Sequence, residues 1–420
     1  MLERFLKTSK AVARLRAGAF GPFLDSYVEH VVGLGYCFAT IREQLWTLDA
    51  LQRWMKRKKL SVGDLNQELA CGFVETRRSR NRRRRLSRLS RCEAVALRLL
   101  LNHLRDLGAV AVGTPAEDNS AVAQLEHRFR VYLKRERGLA PRTLDGYLPY
   151  VRRFLNERFR NEPCDPSSLT SSDVSGFVLR HARSMGPRTA QSMGSALRSF
   201  FRFLLQHGEI GIDLAAAVPT VADWRLARVP QFLSPNEVRS MLNACNRDTP
   251  VGRRDYAILV VLARLGLRAT EVLALRLEDI DWRAGEVTIR GKGQVHDRLP
   301  LPQDVGEAIV DYLQHGRPDC AAPEVFVRTR APHRGLGNPS TVSTLVRRAL
   351  QRGDLHPSSR GAHLLRNTLA TTMLRGGASI SEIGQVLRHR SAATTELYVK
   401  VDIEGLRMLA QPWPVDGGAQ

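Results

Sequence analysis

The sequence contains no apolar run near the roughly 18 residues that a membrane-spanning helix needs. Its segment Ala257-Ile258-Leu259-Val260-Val261-Leu262-Ala263 is too short to span a bilayer and reads as part of a core helix. The N-terminus lacks the apolar stretch and small-residue cleavage site of a secretory signal, so a cytoplasmic protein is expected. Cysteine is sparse and scattered (Cys37, Cys71, Cys92, Cys164, Cys245, Cys320), and no close pair could chelate zinc. Reduced, half-buried thiols are the simplest expectation, with no metal and no cofactor. Gly291-Lys292-Gly293 lacks the spacing and the following Ser/Thr of a nucleotide-binding loop. Negative charge is also short: 42 acidic residues face 64 Lys and Arg, a formal net charge of +22. A surplus of that size points to a polyanionic partner, double-stranded DNA first among them.

A chain of 420 residues is too long for one core, so two or three domains are expected. Apolar spacing is helical nearly everywhere before about residue 283. Leu125, Phe129, Tyr132 and Leu133 mark one amphipathic helix, and Leu144, Leu148, Val151 and Leu155 the next. A third covers Val174 to Ala182, and a fourth runs from Thr189 through Leu197, Phe200 and Leu204 to Gly208, a plausible stop. Residues 114–120 and about 218–230 read as polar or proline-bounded joints. Ser234-Pro235-Asn236-Glu237 is a capping box that opens a further helix. Gly285–Arg290 and Val295–Leu301 read as a hairpin around Gly291-Lys292-Gly293, to which Glu324–Arg328 could add a third strand. Helices return from Thr341. The fold class is therefore mainly α with a small antiparallel sheet.

The first bundle repeats the second. Gly35-Tyr36-Cys37-Phe38-Ala39-Thr40 parallels Gly138-Leu139-Ala140-Pro141-Arg142-Thr143, and Gly72-Phe73-Val74 parallels Gly176-Phe177-Val178. Ala96-Leu97-Arg98 parallels Ala196-Leu197-Arg198. An internal duplication follows, with residues 1–115 forming a second helical bundle. Within it lies an arginine run that includes Arg77, Arg78, Arg80, Arg82, Arg83, Arg84, Arg85 and Arg88, with Leu86, Leu89, Val95 and Leu99 at helical spacing. A helix with a basic face laid along phosphates fits this pattern, and Arg142, Arg188 and Arg198 are its candidate counterparts in the second bundle.

Chemistry concentrates in the last quarter: His363-Leu364-Leu365-Arg366, Leu387-Arg388-His389-Arg390-Ser391 and Thr394-Thr395-Glu396-Leu397-Tyr398. Upstream, Gly266-Leu267-Arg268-Ala269-Thr270-Glu271 and Gly291-Lys292-Gly293 precede them in order. With these motifs, residues of about 121–410 resemble the phage-integrase-type (tyrosine) site-specific recombinases. The resemblance implies a core-binding helical domain at 116–217, a linker at 218–231, a mixed α+β catalytic domain at 232–410 and a tail at 411–420.

It also implies roles. Tyr398 is the expected nucleophile, Arg268 and Arg366 the clamp on the scissile phosphate, and His389 a donor to a non-bridging oxygen. His363 assists proton transfer at the tyrosine, Lys292 protonates the departing 5′ oxygen, and Glu271 braces Arg268. The guanidinium suits its part because it stays charged and binds two phosphate oxygens at once. Three positions depart from the family pattern: Arg388 stands where glycine is usual, Asn367 for a frequent histidine and Ala362 for a frequent proline. Arg388 is expected to crowd the site or to add a phosphate contact.

The partners implied are duplex DNA and further copies of the chain in a tetramer, with sister recombinases or accessory proteins in some systems. The apolar segment Ile403–Leu409 packs either on a neighbouring protomer or on its own domain. An integrase or transposase of a mobile element is expected. The rivals are a relaxing topoisomerase of the same chemistry and a catalytically silent DNA-binding subunit.

Overall fold

The computed structural model describes residues 1–6, 8–80, 89–111, 120–160, 163–221, 229–291, 296–389 and 391–401, with the side chains of 78–80, 89–91 and 392–393 also left aside. After a short α1 (Ser9–Arg16) come α2 (Leu24–Gly33), α3 (Phe38–Arg57), α4 (Gln67–Arg80) and α5 (Leu89–Asp106). Their apolar stripes close one core around Tyr27, Leu45, Leu48, Phe73, Leu100 and Leu104. A second bundle is formed by α6 (Ala121–Arg135), α7 (Pro141–Arg158), α8 (Ser171–Ala182) and α9 (Pro187–Gln206), around Phe129, Leu148, Phe177, Phe200 and Leu204. Both bundles leave their last helix through a left-handed glycine, Gly108 (φ +70) and Gly208 (φ +68).

Arg77, Arg78 and Arg80 extend α4, whereas Arg82, Arg83, Arg84, Arg85 and Arg88 lie outside the described residues.

The chain divides into two compact units. Residues 113–227 form one, and residues 1–112 together with 228–420 form the other. Within the latter, the His333 N–H donates to the Leu34 carbonyl at 2.9 Å. Gly35 (φ +79) abuts the His333 ring so closely that a Cβ would lie 1.9 Å from its Cδ2. Glycine is needed there for both reasons.

The C-terminal part begins with α10 (Pro235–Asn243), whose Ser234 and Glu237 cap each other's backbone N–H as the sequence indicates. The apolar segment read from the sequence lies in α11 (Pro250–Leu265), buried at the centre of a third core. Then follow α12 (Ala269–Ala274), β1 (Ile280–Asp281), β2 (Glu286–Arg290), β3 (His296–Pro300) and α13 (Gln303–His315). The chain continues through α14 (Pro339–Arg352), α15 (Ala362–Arg375), α16 (Ile380–Val386) and α17 (Ala392–Thr395). The fold is mainly helical with one small antiparallel sheet.

The sheet corrects one expectation. Its order is β1-β2-β3, all antiparallel, with Val287 opposite Leu299 and Ile280 opposite Val287. The third strand is therefore Ile280–Asp281, not Glu324–Arg328. Val325, Phe326 and Val327 are buried one after another, without the alternation of a half-covered strand. That segment makes only single bridges, Glu324 to Arg276 and Val327 to Gly335.

Candidate active site

The centre of the site is a guanidinium held by the ends of two helices. α11 terminates at Gly266 in the left-handed region (φ +57), where a Cβ would lie 2.7 Å from Leu387 Cδ2 and 2.9 Å from Leu369 Cδ2. The turn leaves the Gly266 carbonyl free, and Arg366 Nη1 donates to it at 2.6 Å. Arg366 Nη2 donates to the carbonyl of Leu387, the residue that caps α16. Two helix C-termini thus present their negative ends to one cation. Arg366 projects from α15 and is only 1% exposed, and its Nε has no partner among the described residues. Burial, then the nearby Arg268 and Arg388, pull its pKa down to about 10, so it stays charged at neutral pH.

Arg268 is the open counterpart, with a side chain 41% exposed. It precedes α12, and Glu271 in the first turn of that helix holds it twice. Glu271 Oε2 accepts from the Arg268 backbone N–H at 2.9 Å, and Oε1 accepts from Nη1 at 2.6 Å. Burial pushes the Glu271 carboxyl upward, but the Arg268 N–H, the Arg388 charge and the Arg268 guanidinium hold it below the usual range. Glu271 thus holds Arg268 by its backbone N–H and by its guanidinium.

Arg388 is the surprise. It stands in the left-handed region (φ +54) and directs its Nη2 to Glu271 Oε2 at 2.9 Å, both side chains being nearly inaccessible. Neither crowding nor an outward-facing phosphate contact results. The side chain folds inward and shares the carboxylate with Arg268, while the Arg388 carbonyl accepts from Arg268 Nη2 at 3.4 Å.

His389 follows, its Nδ1 2.8 Å from the Thr395 hydroxyl. Burial, then Arg366, Arg268, His363 and Arg388, depress its pKa to about 4. The ring is neutral at physiological pH. Tyr398 lies on a short 3₁₀ turn, Glu396–Val401, and stacks on His389 with the rings nearly parallel, 7° apart and 6.3 Å between centroids. Its hydroxyl donates to Asn367 Oδ1 at 3.1 Å, and its ring packs with Ala370, Ile383 and Leu387. Burial raises the phenol pKa, and Arg366 and Arg268 pull against that shift.

The structure therefore brings Arg268, Glu271, Arg366, His389 and Tyr398 together. His363 shares α15 with Arg366, but its side chain is exposed while that of Arg366 is buried, and it is felt electrostatically at His389. Lys292 lies outside the described residues. Three participants were missed or misread from sequence: Arg388 as the partner of Glu271, Asn367 as the acceptor for Tyr398, and Thr395 as the partner of His389. The paired threonines before Tyr398 were the only available signal for the last.

The other predicted DNA-binding arginines divide in two. Arg142 and Arg188 are exposed at the starts of α7 and α9. Arg198 is turned onto the Val218 and Pro219 carbonyls, and Arg77 onto Glu93 and the Phe73 ring. Among the described residues no helix is long and apolar enough to cross a membrane, and no cluster of metal-ligating side chains occurs.

Comparison with known proteins follows the same division of the chain. Residues 231–404 match the phage integrase family, and residues 127–208 match the phage integrase N-terminal SAM-like domain. The chain is 40% identical to the integrase/recombinase y4rA named from Sinorhizobium fredii, covering 98% of this chain and 99% of that one. It is 30% identical to the tyrosine recombinase XerC of Bacillus pumilus over 68% of this chain and 94% of the relative. In fold it is similar to a XerH site-specific recombinase bound to a palindromic difH substrate (TM-score 0.56, 18% identity, 70% of this chain and 85% of that one). It is also similar to a lambda integrase (75-356) dimer bound to a COC' core site (TM-score 0.53, 17% identity, 70% and 99%). The chain belongs to the phage integrase family of tyrosine recombinases.

Proposed function

We propose that this protein is a site-specific DNA recombinase that cuts and rejoins strands through a covalent 3′-phosphotyrosine. The observation that carries the reading is the meeting of one phenol with two guanidiniums, contributed by segments far apart in the chain: Arg268, Arg366 and Tyr398 lie close enough to act on one another electrostatically. A tyrosine is a weak nucleophile at neutral pH, so cations that favour its phenolate and neutralise a phosphorane are what the reaction requires.

The Tyr398 oxygen attacks phosphorus, the bond to the 5′ oxygen breaks, and Lys292 supplies the proton to the departing hydroxyl. Attack by a 5′ hydroxyl of the other duplex reverses the step, so the phosphodiester energy is conserved and no ATP is needed. The open guanidinium of Arg268 takes non-bridging oxygens directly, while buried Arg366 contributes its charge from below. With the Thr395 hydroxyl donating to His389 Nδ1, the Nε2 of the neutral ring keeps its hydrogen and can donate to the phosphate. His363 serves the proton of Tyr398. Exchange proceeds pairwise through a four-way junction in a tetramer on duplex DNA, in the cytoplasm, as integrase or transposase of a mobile element.

The test is the fate of a suicide duplex whose cleaved fragment diffuses away. Tyr398→Phe should bind this duplex as the parent protein does and form no covalent adduct. An adduct with the variant would assign the nucleophile elsewhere.

A further inference from the structure

One feature of the N-terminal bundle is not used by this chemistry. Trp46, Ala50, Arg53 and Arg57 fall at positions i, i+4, i+7 and i+11 of α3 and so share a face. Beside them α4 brings Phe73, Thr76 and Arg77, and together they line an open groove of about 820 Å³. Trp46 is 43% exposed in it, beside Ala50, Trp54 and Phe73. A second hollow of about 430 Å³, lined in part by Arg14, Gln52 and Leu60, shares Arg53 and Lys56 with the first.

Five cations thus border one trough: Arg14, Arg53, Lys56, Arg57 and Arg77. No carboxylate lines either hollow among the described residues. Two of the five are tied from behind by one buried acid, Arg14 and Arg53 on Asp49, and Arg77 is paired with Glu93. Lys56 and Arg57 are exposed, and no ion pair holds them among the described residues. Lys56 and Arg57 thus add like charge beside three cations that are already paired, an excess that an anion would relieve.

We infer that this α3–α4 trough is a binding site for the sugar–phosphate backbone of duplex DNA, separate from the catalytic pocket. The inference rests on the recombinase reading only in taking duplex DNA as the substrate. Phosphates meet Lys56 and Arg57, and the Trp46 indole packs on deoxyribose, whose apolar edge suits an aromatic face. The site grips without reading sequence, because its donors are long cations and its floor is a set of rings. Its place on the first bundle gives the protein a hold on DNA beyond the segment being cut.

The test uses full-length protein carrying Tyr398→Phe, so that cleavage does not intervene, and a labelled duplex of arbitrary sequence of about 40 base pairs titrated across about 50–300 mM salt. Lys56→Ala with Arg57→Ala should flatten the dependence of log K on log salt by about 1.8, the loss of two phosphate contacts. Trp46→Ala should weaken binding about 3- to 10-fold with the slope unchanged. Arg4→Ala with Lys10→Ala, which removes two exposed charges outside the trough, should leave the slope in place. An unchanged slope in the Lys56/Arg57 pair overturns the inference, as does an equal loss in the Arg4/Lys10 pair. Loss of affinity for a single strand alone, with duplex binding intact, overturns the duplex assignment. A parent protein that does not bind duplex at all sinks the proposed function along with it.

Discussion

Arg388 donates to Glu271 at 2.9 Å from a backbone held at φ +54, and the two side chains are 117 residues apart in sequence. The left-handed region costs a non-glycine residue about 1 kcal/mol, and here that cost is offset by a charge-assisted bond to a buried carboxylate. Glu271 therefore has two cationic partners, and its hold on Arg268 depends on both. Arg388→Gly should relieve the backbone but leave Glu271 with one partner, for a net loss of about 1–2 kcal/mol in thermal unfolding. Cleavage should fall about tenfold because Arg268 is less well fixed. A double-mutant cycle of Arg388→Ala with Glu271→Gln should show coupling above about 1 kcal/mol. Additive effects would mean that the two side chains do not act together.

How far this could be read beforehand depended on the range of each interaction. The helices of both bundles follow from local spacing: Phe129, Phe177 and Phe200 lie where the apolar pattern puts them, and Ser234 caps its helix as its neighbours imply. The hairpin was legible from its glycines. The third strand was misplaced because two residues, Ile280 and Asp281, carry almost no pattern. The helix α13 went unnamed although Val305, Ala308, Ile309 and Tyr312 have helical spacing and are buried. In the site, residue identity and order carried Arg268, Arg366, His389 and Tyr398. The inward turn of Arg388 and the bond from Tyr398 to Asn367 arise from tertiary packing, which spacing does not encode.

Gly266 offers a test of the Arg366 anchor. Its φ of +57 and the 2.7 Å approach to Leu387 leave no room for a methyl group. Gly266→Ala should cost about 2–4 kcal/mol in denaturant unfolding. It should also displace the carbonyl that receives Arg366 Nη1, so adduct formation should fall about 100-fold at a temperature where the variant is folded. Wild-type cleavage by a folded variant would show that Arg366 needs no such seat.

His389 sets a pH window. Its pKa in the folded protein is about 4, below the ordinary value near 6.5, so the unfolded chain binds the proton more readily. Stability from this residue is fully present above pH 6.5 and declines as the pH falls toward 4. Its contribution should be about 1–2 kcal/mol after solvent screening. Comparing unfolding at pH 7 and pH 5, His389→Gln should lose less stability than the parent. An equal decline in the two proteins would remove His389 from the acid response.

Lys292→Ala tests the proton donor by chemistry. An alkoxide leaves poorly without a proton, whereas a thiolate leaves readily. The variant should cleave an ordinary duplex slowly, by a factor of about 100 or more, and recover on a substrate with sulfur at the 5′ bridging position. Failure to recover would point to another acid.

Asn367 tests whether the phenol is restrained before reaction. The Tyr398 hydroxyl donates to Asn367 Oδ1 at 3.1 Å, so its proton faces the amide and not the proposed phosphate clamp. That bond favours the neutral phenol and must break before the oxygen can attack. Asn367→Ala should cost about 1 kcal/mol in stability, because it removes the acceptor of a buried hydroxyl. On a suicide duplex it should form the covalent complex at least as fast as the parent, since one bond fewer holds the proposed nucleophile. A rate about tenfold lower would give Asn367 the opposite part, that of aiming the phenol, and the bond would then be one the reaction uses.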